Sequence, residues 1–172
     1  MRSIKRHCRQ ETETADLAVG LGSVLAHFFA DATSAEQHIN ISLKGNLGAG
    51  KTAFARYLIQ GMGYAGKVKS PTYSLCESYP IVCGNQTVSA FHFDLYRMRT
   101  ALEWQEAGLA AHFDEPGMCL IEWPEKAEGT LPQLDLQIAI TADELETERQ
   151  FELKALSDLG LRILTQLQGD LP

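Results

Sequence analysis

Residues 43–58, LKGNLGAGKTAFARYL, decide how this chain is read. Gly45 to Thr52 spell G-N-L-G-A-G-K-T, a full match to the phosphate-binding pattern GxxxxGK[ST]. The pattern carries weight only between a strand and a helix, and both are expected here. Upstream, HINISLKG alternates Ile39, Ile41 and Leu43 with polar neighbours, as a strand does. Downstream, an amphipathic helix runs from about Lys51 and dissolves at Gly61 and Gly63. Gly45, Gly48 and Gly50 let backbone N–H groups turn inward around phosphate oxygens, where a Cβ would block the approach. The helix start adds unpaired N–H donors and a positive dipole end. Lys51 is placed to reach the β- and γ-phosphates, and the Thr52 hydroxyl is a hard oxygen ligand for Mg²⁺.

Outward from this loop the pattern is that of one mixed α/β domain. TETADLAVGLGSVLAHFF puts Leu17, Leu21, Val24, Leu25 and Phe28 on one helical face. Thr12 or Thr14 is the expected cap, with Glu13 and Asp16 at the favourable end of the dipole. SPTYSLCESYPIVCGNQTVSAFHFDLY reads as two strands joined by a turn at Gly84-Asn85, and a helix is expected around ALEWQEAGLAAHF. GMCLIEW is a short apolar run ending in an acid, as in a strand covered on both faces. LDLQIAI and RQFELKAL alternate as strands, and SDLGLRILTQLQ closes the chain as a helix. The expected fold is α/β, a P-loop NTPase-like three-layer sandwich with a mixed parallel/antiparallel sheet, spanning 1–172 as a single domain with residues 1–11 a flexible N-terminal extension.

Composition narrows the function. The net charge of -7 argues against a free-standing nucleic-acid binder, with Lys67, Lys69, Arg97 and Arg99 the candidates for a local basic patch. Cys8, Cys76, Cys83 and Cys119 have no metal-type spacing and read as reduced thiols. The N-terminus lacks an apolar leader core, and no apolar run reaches the ~20 residues that span a bilayer, so a cytoplasmic protein is expected.

A P-loop needs a carboxylate at a nearby strand end, because Mg²⁺ takes a near-octahedral oxygen shell with few protein ligands. Two acids qualify. Glu122 ends MCLIE, where a charge is costly unless paired or metal-bound, and is read as the metal ligand. Asp94 ends SAFHFD, sharing a strand face with Ala90 and His92, and is read as positioning the attacking water or supporting the metal. The two roles are exchangeable on sequence alone. In KSPTYSL, Pro71 biases Ser70 towards extended backbone and presents Thr72 and Tyr73, so Thr72 either senses the γ-phosphate or satisfies a local turn.

GNLGAGKTAFAR, VKSPTYSL, HFDLYR and IEWPEK, in this order and at these intervals, resemble the bacterial TsaE (YjeE) family over roughly Glu13 to Arg149. That family is the small P-loop ATPase of tRNA threonylcarbamoyladenosine biosynthesis, working with the transferase pair TsaD and TsaB beside the anticodon of tRNAs reading codons that begin with A. The resemblance implies ATP and Mg²⁺ as cofactors, with the metal on Thr52 and Glu122. It implies catalytic parts for Asp94, Lys51 and Thr72, and nucleotide contacts from Glu13, Gly45, Gly48, Ala49, Gly50, Lys51, Thr52, Ala53 and Arg149. Asn46 departs from an acid usual in that loop, Ala53 from a common second threonine, and Glu148 from the glycine that precedes the C-terminal arginine. The first two departures remove no phosphate or metal ligand, so binding is expected to survive them, while Glu148 bears on the contribution of Arg149.

Three functions follow. Partner-coupled ATP hydrolysis leads, because no guanine-reading NKxD-like motif and no arginine-rich lid are evident. An isolated P-loop without a transition-state arginine is slow, and Arg97 and Arg99 are the in-chain candidates for that arginine. A small-molecule or nucleotide kinase shares the cradle but needs an acceptor pocket beside Asp94. A nucleotide-switched docking module without required catalysis is the third. The acidic balance leaves tRNA held mainly by partners.

Overall fold

The chain, described over residues 2–71 and 73–171 by a computed structural model, places seven strands of the described residues in one sheet. In chain order the elements are β1 (Ser3–Cys8), α1 (Glu11–Ala30), β2 (His38–Lys44), α2 (Lys51–Gly61), β3 (Cys76–Cys83) and β4 (Gln86–Asp94). There follow the one-turn α3 (Glu103–Glu106), β5 (Gly117–Glu122), β6 (Leu136–Ala142), β7 (Arg149–Ala155) and α4 (Asp158–Asp170). The spatial order is β1-β7-β6-β2-β5-β4-β3. The four central strands β6, β2, β5 and β4 are parallel, while β3 and the β7–β1 flank run antiparallel to their neighbours. This is the mixed α/β sheet expected.

Burial explains the arrangement. β5 is buried at every position, and β2 at every position from Ile39 to Leu43, which is what helices on both faces of a parallel sheet require. Ile39, Ile41, Leu120, Met118 and Ile138 face a core completed by Leu21, Leu25 and Phe29 of α1, Phe54 and Leu58 of α2 and Leu164 of α4. On the opposite face Phe91, Phe93, Cys119 and Ile121 pack with Trp104 and Phe113. That second layer is thin, built from α3 and two 3₁₀ turns, Ala110–Asp114 and Pro124–Ala127.

Three expectations need correction. Residues 3–8, read as part of a flexible extension, pair along their whole length with β7 (Ser3 opposite Lys154, Cys8 opposite Arg149), and Ile4 and Cys8 are buried on the inner face. The helix expected around residues 101–113 is only α3 plus a 3₁₀ turn, because Gly108 adopts φ +80° between them. α1 starts at Glu11 with Gln10 as its N-cap, so Thr12 and Thr14 lie inside the first turn. The Glu13 carboxylate instead accepts from the Arg9 N–H (2.5 Å), one residue before the N-cap. The hairpin turn at Gly84-Asn85 and the cap at Ser157, whose Oγ accepts from Gly160 N, complete the frame.

Candidate functional site

Lys51, Thr52, Asp94 and Glu122 gather at the C-terminal ends of β2, β5 and β4. β2 is flanked by β5 on one side and β6 on the other, and the chain crosses over between them. Open parallel sheets form their ligand crevice at such a point. A pocket of about 250 Å³ opens there, lined by the loop residues Leu47 and Gly48, by Gly50 to Ala53, and by Asp94, Tyr96, Glu122 and Trp123.

The loop geometry follows from its glycines. Gly48 and Gly50 have φ +82° and +106°, conformations L side chains rarely adopt. A Cβ at Gly45 would lie 2.7 Å from the Ile140 carbonyl oxygen. Gly50 is the N-cap of α2, and no acid occupies that helix's first turn, so its N–H donors and positive dipole end stay available to an anion. Lys51 folds back over the loop, its Nζ donating to Gly45 O (2.6 Å) and Asn46 O (2.9 Å) and sitting 4.1 Å from the Trp123 ring centroid. Burial pulls the Lys51 ammonium below the usual lysine range, with Glu122, Glu125 and Asp94 acting the other way. Arg149, at the start of β7, braces the loop from behind, its Nε donating to Ala49 O at 2.9 Å.

Glu122 and Thr52 are 70 residues apart in sequence and meet. The Thr52 hydroxyl donates to the Glu122 carboxylate, 2.9 Å from Oε1 and 3.1 Å from Oε2. Glu122 is 2% exposed. A carboxylate taken out of water in this way needs donors or a cation. Two hard oxygens converging beside a phosphate-type loop are the donor set Mg²⁺ takes. Asp94 sits directly across from Glu122 in the parallel β4–β5 register and is half-buried, its Oδ1 accepting from Tyr96 N at 3.1 Å. Burial pushes the Asp94 carboxyl above the usual aspartate range; the Tyr96 N–H opposes this and the Glu122 charge adds to it. Directly after Glu122, Trp123 adopts the left-handed conformation (φ 58°, ψ 51°) and packs on Tyr96 with ring centroids 4.9 Å apart. A bulky residue held there marks a locally strained backbone beside the pocket.

Thus Gly48, Gly50, Lys51, Thr52, Ala53, Asp94 and Glu122 come together around the pocket, while Gly45 and Ala49 form the back of the loop. Arg149 touches the loop but not the pocket lining, and Glu13 caps α1 outside it. Thr72 lies outside the described residues. Its neighbour Tyr73 is 90% exposed, with the Arg97 guanidinium 5.4 Å from its ring. Arg97 and Arg99 are exposed and do not line the pocket. Sequence reasoning left His92 without a part. It is fully buried, and its Nε2 lies 2.6 Å from Glu122 Oε2. The signal was a histidine on the same strand face as Asp94, two residues before it.

Among the described residues no helix is long and apolar enough to cross a membrane. The family model of the Threonylcarbamoyl adenosine biosynthesis protein TsaE matches residues 8–151. A tRNA threonylcarbamoyladenosine biosynthesis protein TsaE from Haemophilus influenzae is 42% identical over 130 residues, 76% of this chain and 78% of that one. Its Bacillus subtilis counterpart is 38% identical over 100 residues, 58% and 60% of the two chains. Among solved structures, Bacillus subtilis YdiB aligns with a TM-score of 0.70 at 25% identity, covering 98% of this chain and 95% of that one.

Proposed function

This chain belongs to the TsaE family of tRNA threonylcarbamoyladenosine biosynthesis, and from that premise we propose that it is a Mg²⁺-dependent ATPase serving the transferase pair TsaD and TsaB. The observation that carries the reading is the meeting of Thr52 and Glu122 beside the glycine loop, at 2.9 and 3.1 Å. Thr52 and Glu122 would hold the metal. A Mg²⁺ ion held by these two residues would supply positive charge to offset that developing on the phosphate chain. Lys51, now bonded to the loop carbonyls, exchanges those partners for phosphate oxygens at little cost, because the same desolvated setting favours an anion beside it. Asp94, across the ladder from Glu122 and on the pocket wall, is the residue we assign to orienting the attacking water or supporting the metal.

Loop amides around Gly48, Ala49 and Gly50 with Ala53 at the helix start form the rest of the nucleotide contact. Nucleotide contacts from Glu13 and Arg149 follow from the family resemblance, and a γ-phosphate role for Thr72 from that resemblance together with the KSPTYSL stretch. Arg97 and Arg99 stand away from the pocket, which favours a transition-state arginine supplied by the partner proteins and a slow reaction without them. The chain's charge of -7 leaves the tRNA to those partners.

The test is ATP turnover with and without TsaD and TsaB, using labelled ATP. Free phosphate as the labelled product and stimulation by the pair are expected. A phosphorylated metabolite would mean a kinase. Full support of the modification by Glu122→Gln protein lacking turnover would mean a docking switch.

A further inference from the structure

His92 lies on β4, in register with Leu120 of β5, so its ring points from the same sheet face as Glu122 two residues further along β5. No water reaches it: the side chain is 0% exposed, and Glu122 beside it 2%. The short 2.6 Å contact between Nε2 and Oε2 joins a ring nitrogen to an oxygen that, as carboxylate, has no hydrogen to give. The ring proton therefore sits on Nε2 and is donated to Glu122. Nδ1 has no hydrogen-bond partner among the described residues, so the ring makes one polar contact and spends it on this carboxylate.

We infer that His92 is a positioning residue for the metal site: it pins Oε2 of Glu122 and so keeps Oε1 turned towards Thr52. Thr52 is the only other side chain that donates to this carboxylate among the described residues, and it touches both oxygens at nearly equal distances, 2.9 and 3.1 Å. Such a donor does not choose between them. His92 does, because it contacts Oε2 alone, from a fixed ring on a rigid strand. A hydroxyl that ligates a metal does so through a lone pair and keeps its hydrogen, so Thr52 can still donate in the loaded site, and His92 remains the donor that singles out one oxygen. Outer partners of this kind set ligand orientation and tune affinity. The inference rests on the proposal that Glu122 holds the cation.

The experiment is Mn²⁺ binding, read by the paramagnetic signal of free ion, to protein saturated with a non-hydrolysable ATP analogue. Three variants are compared with wild type. His92→Gln keeps an amide donor within reach of Oε2, His92→Asn withdraws it, and Glu122→Gln removes the ligand itself. We expect His92→Asn to weaken Mn²⁺ binding about 10–100-fold and His92→Gln to restore it to within about threefold of wild type. Analogue affinity in EDTA should be the same for wild type and the two His92 variants, which a merely structural role for His92 would not predict alongside a metal defect. Wild-type Mn²⁺ affinity in His92→Asn would overturn the inference. Unchanged affinity in Glu122→Gln would instead overturn the metal placement on which it stands. Should His92→Asn fail to fold, ¹⁵N spectra of the wild-type imidazole decide: a proton on Nε2 supports the inference, and a proton on Nδ1 with bare Nε2 overturns it.

Discussion

Two of the histidine–carboxylate contacts among the described residues pair the same kinds of side chain in opposite surroundings. At the centre of the sheet His92 and Glu122 meet at 2.6 Å with 0% and 2% exposure. At the outer flank His7 of β1 meets Glu148, beside the start of β7, at 3.0 Å with 38% and 23% exposure, and Asp143 lies 3.8 Å away. Counted by ligand type the outer group is the richer one, since its three side chains bring ligand atoms within 4.8 Å of one another. Burial reverses the ranking. Solvent already satisfies the outer carboxylates, whereas the inner one has traded water for Thr52 and His92 and has no other recourse. Proximity of charged groups is common; a desolvated carboxylate next to a phosphate-type loop is not.

Several substitutions sharpen that contrast. The largest effect is expected from Glu122→Gln and from Lys51→Ala, each lowering partner-stimulated ATP turnover on the order of 10²–10³-fold, as loss of one preorganised electrostatic group does. Next comes stability. His92→Leu leaves a buried carboxylate short of a donor and should cost about 3 kcal/mol in urea unfolding. His7→Ala, by the same measurement, should change stability by less than about 0.5 kcal/mol, because its partners are solvated. Equal costs at the two places would break the comparison.

The smallest effect concerns Asp94. Burial raises its pKa, so the folded state holds that proton more tightly than the unfolded chain does. Stability from this group is therefore greatest below the ordinary aspartate value of 3.8 and falls as pH rises through the folded value. In EDTA, Asp94→Asn should raise Tm slightly at neutral pH and lose that advantage in acid. A lower Tm at neutral pH would show that the carboxylate is a net stabiliser.

Much of this was legible in the sequence because the chemistry is local. Gly45 to Thr52 carry their own geometry, and the apolar run before Glu122 announces a buried strand ending in an acid. Other features depend on residues far apart. Ser3–Cys8 becomes a strand only because β7, nearly 150 residues on, offers an edge, and its three basic residues hid the alternation of Ile4 and Cys8. The expected helix after residue 100 fails at Gly108, whose positive φ no periodicity reveals. Glu13 was legible as an acid near a helix start, yet the structure uses it on the Arg9 amide. His92 escaped because a lone histidine in an alternating strand looks like any core residue until its partner on the next strand is known.

The most direct test of the central claim is a crystal of this protein grown with a non-hydrolysable ATP analogue and Mn²⁺, read by the anomalous signal of the ion. The account predicts one strong peak between Thr52 and Glu122, beside phosphates cradled by the glycine loop, and none at His7, Asp143 and Glu148. A peak at the outer cluster with the inner pair still bonded to each other would contradict it.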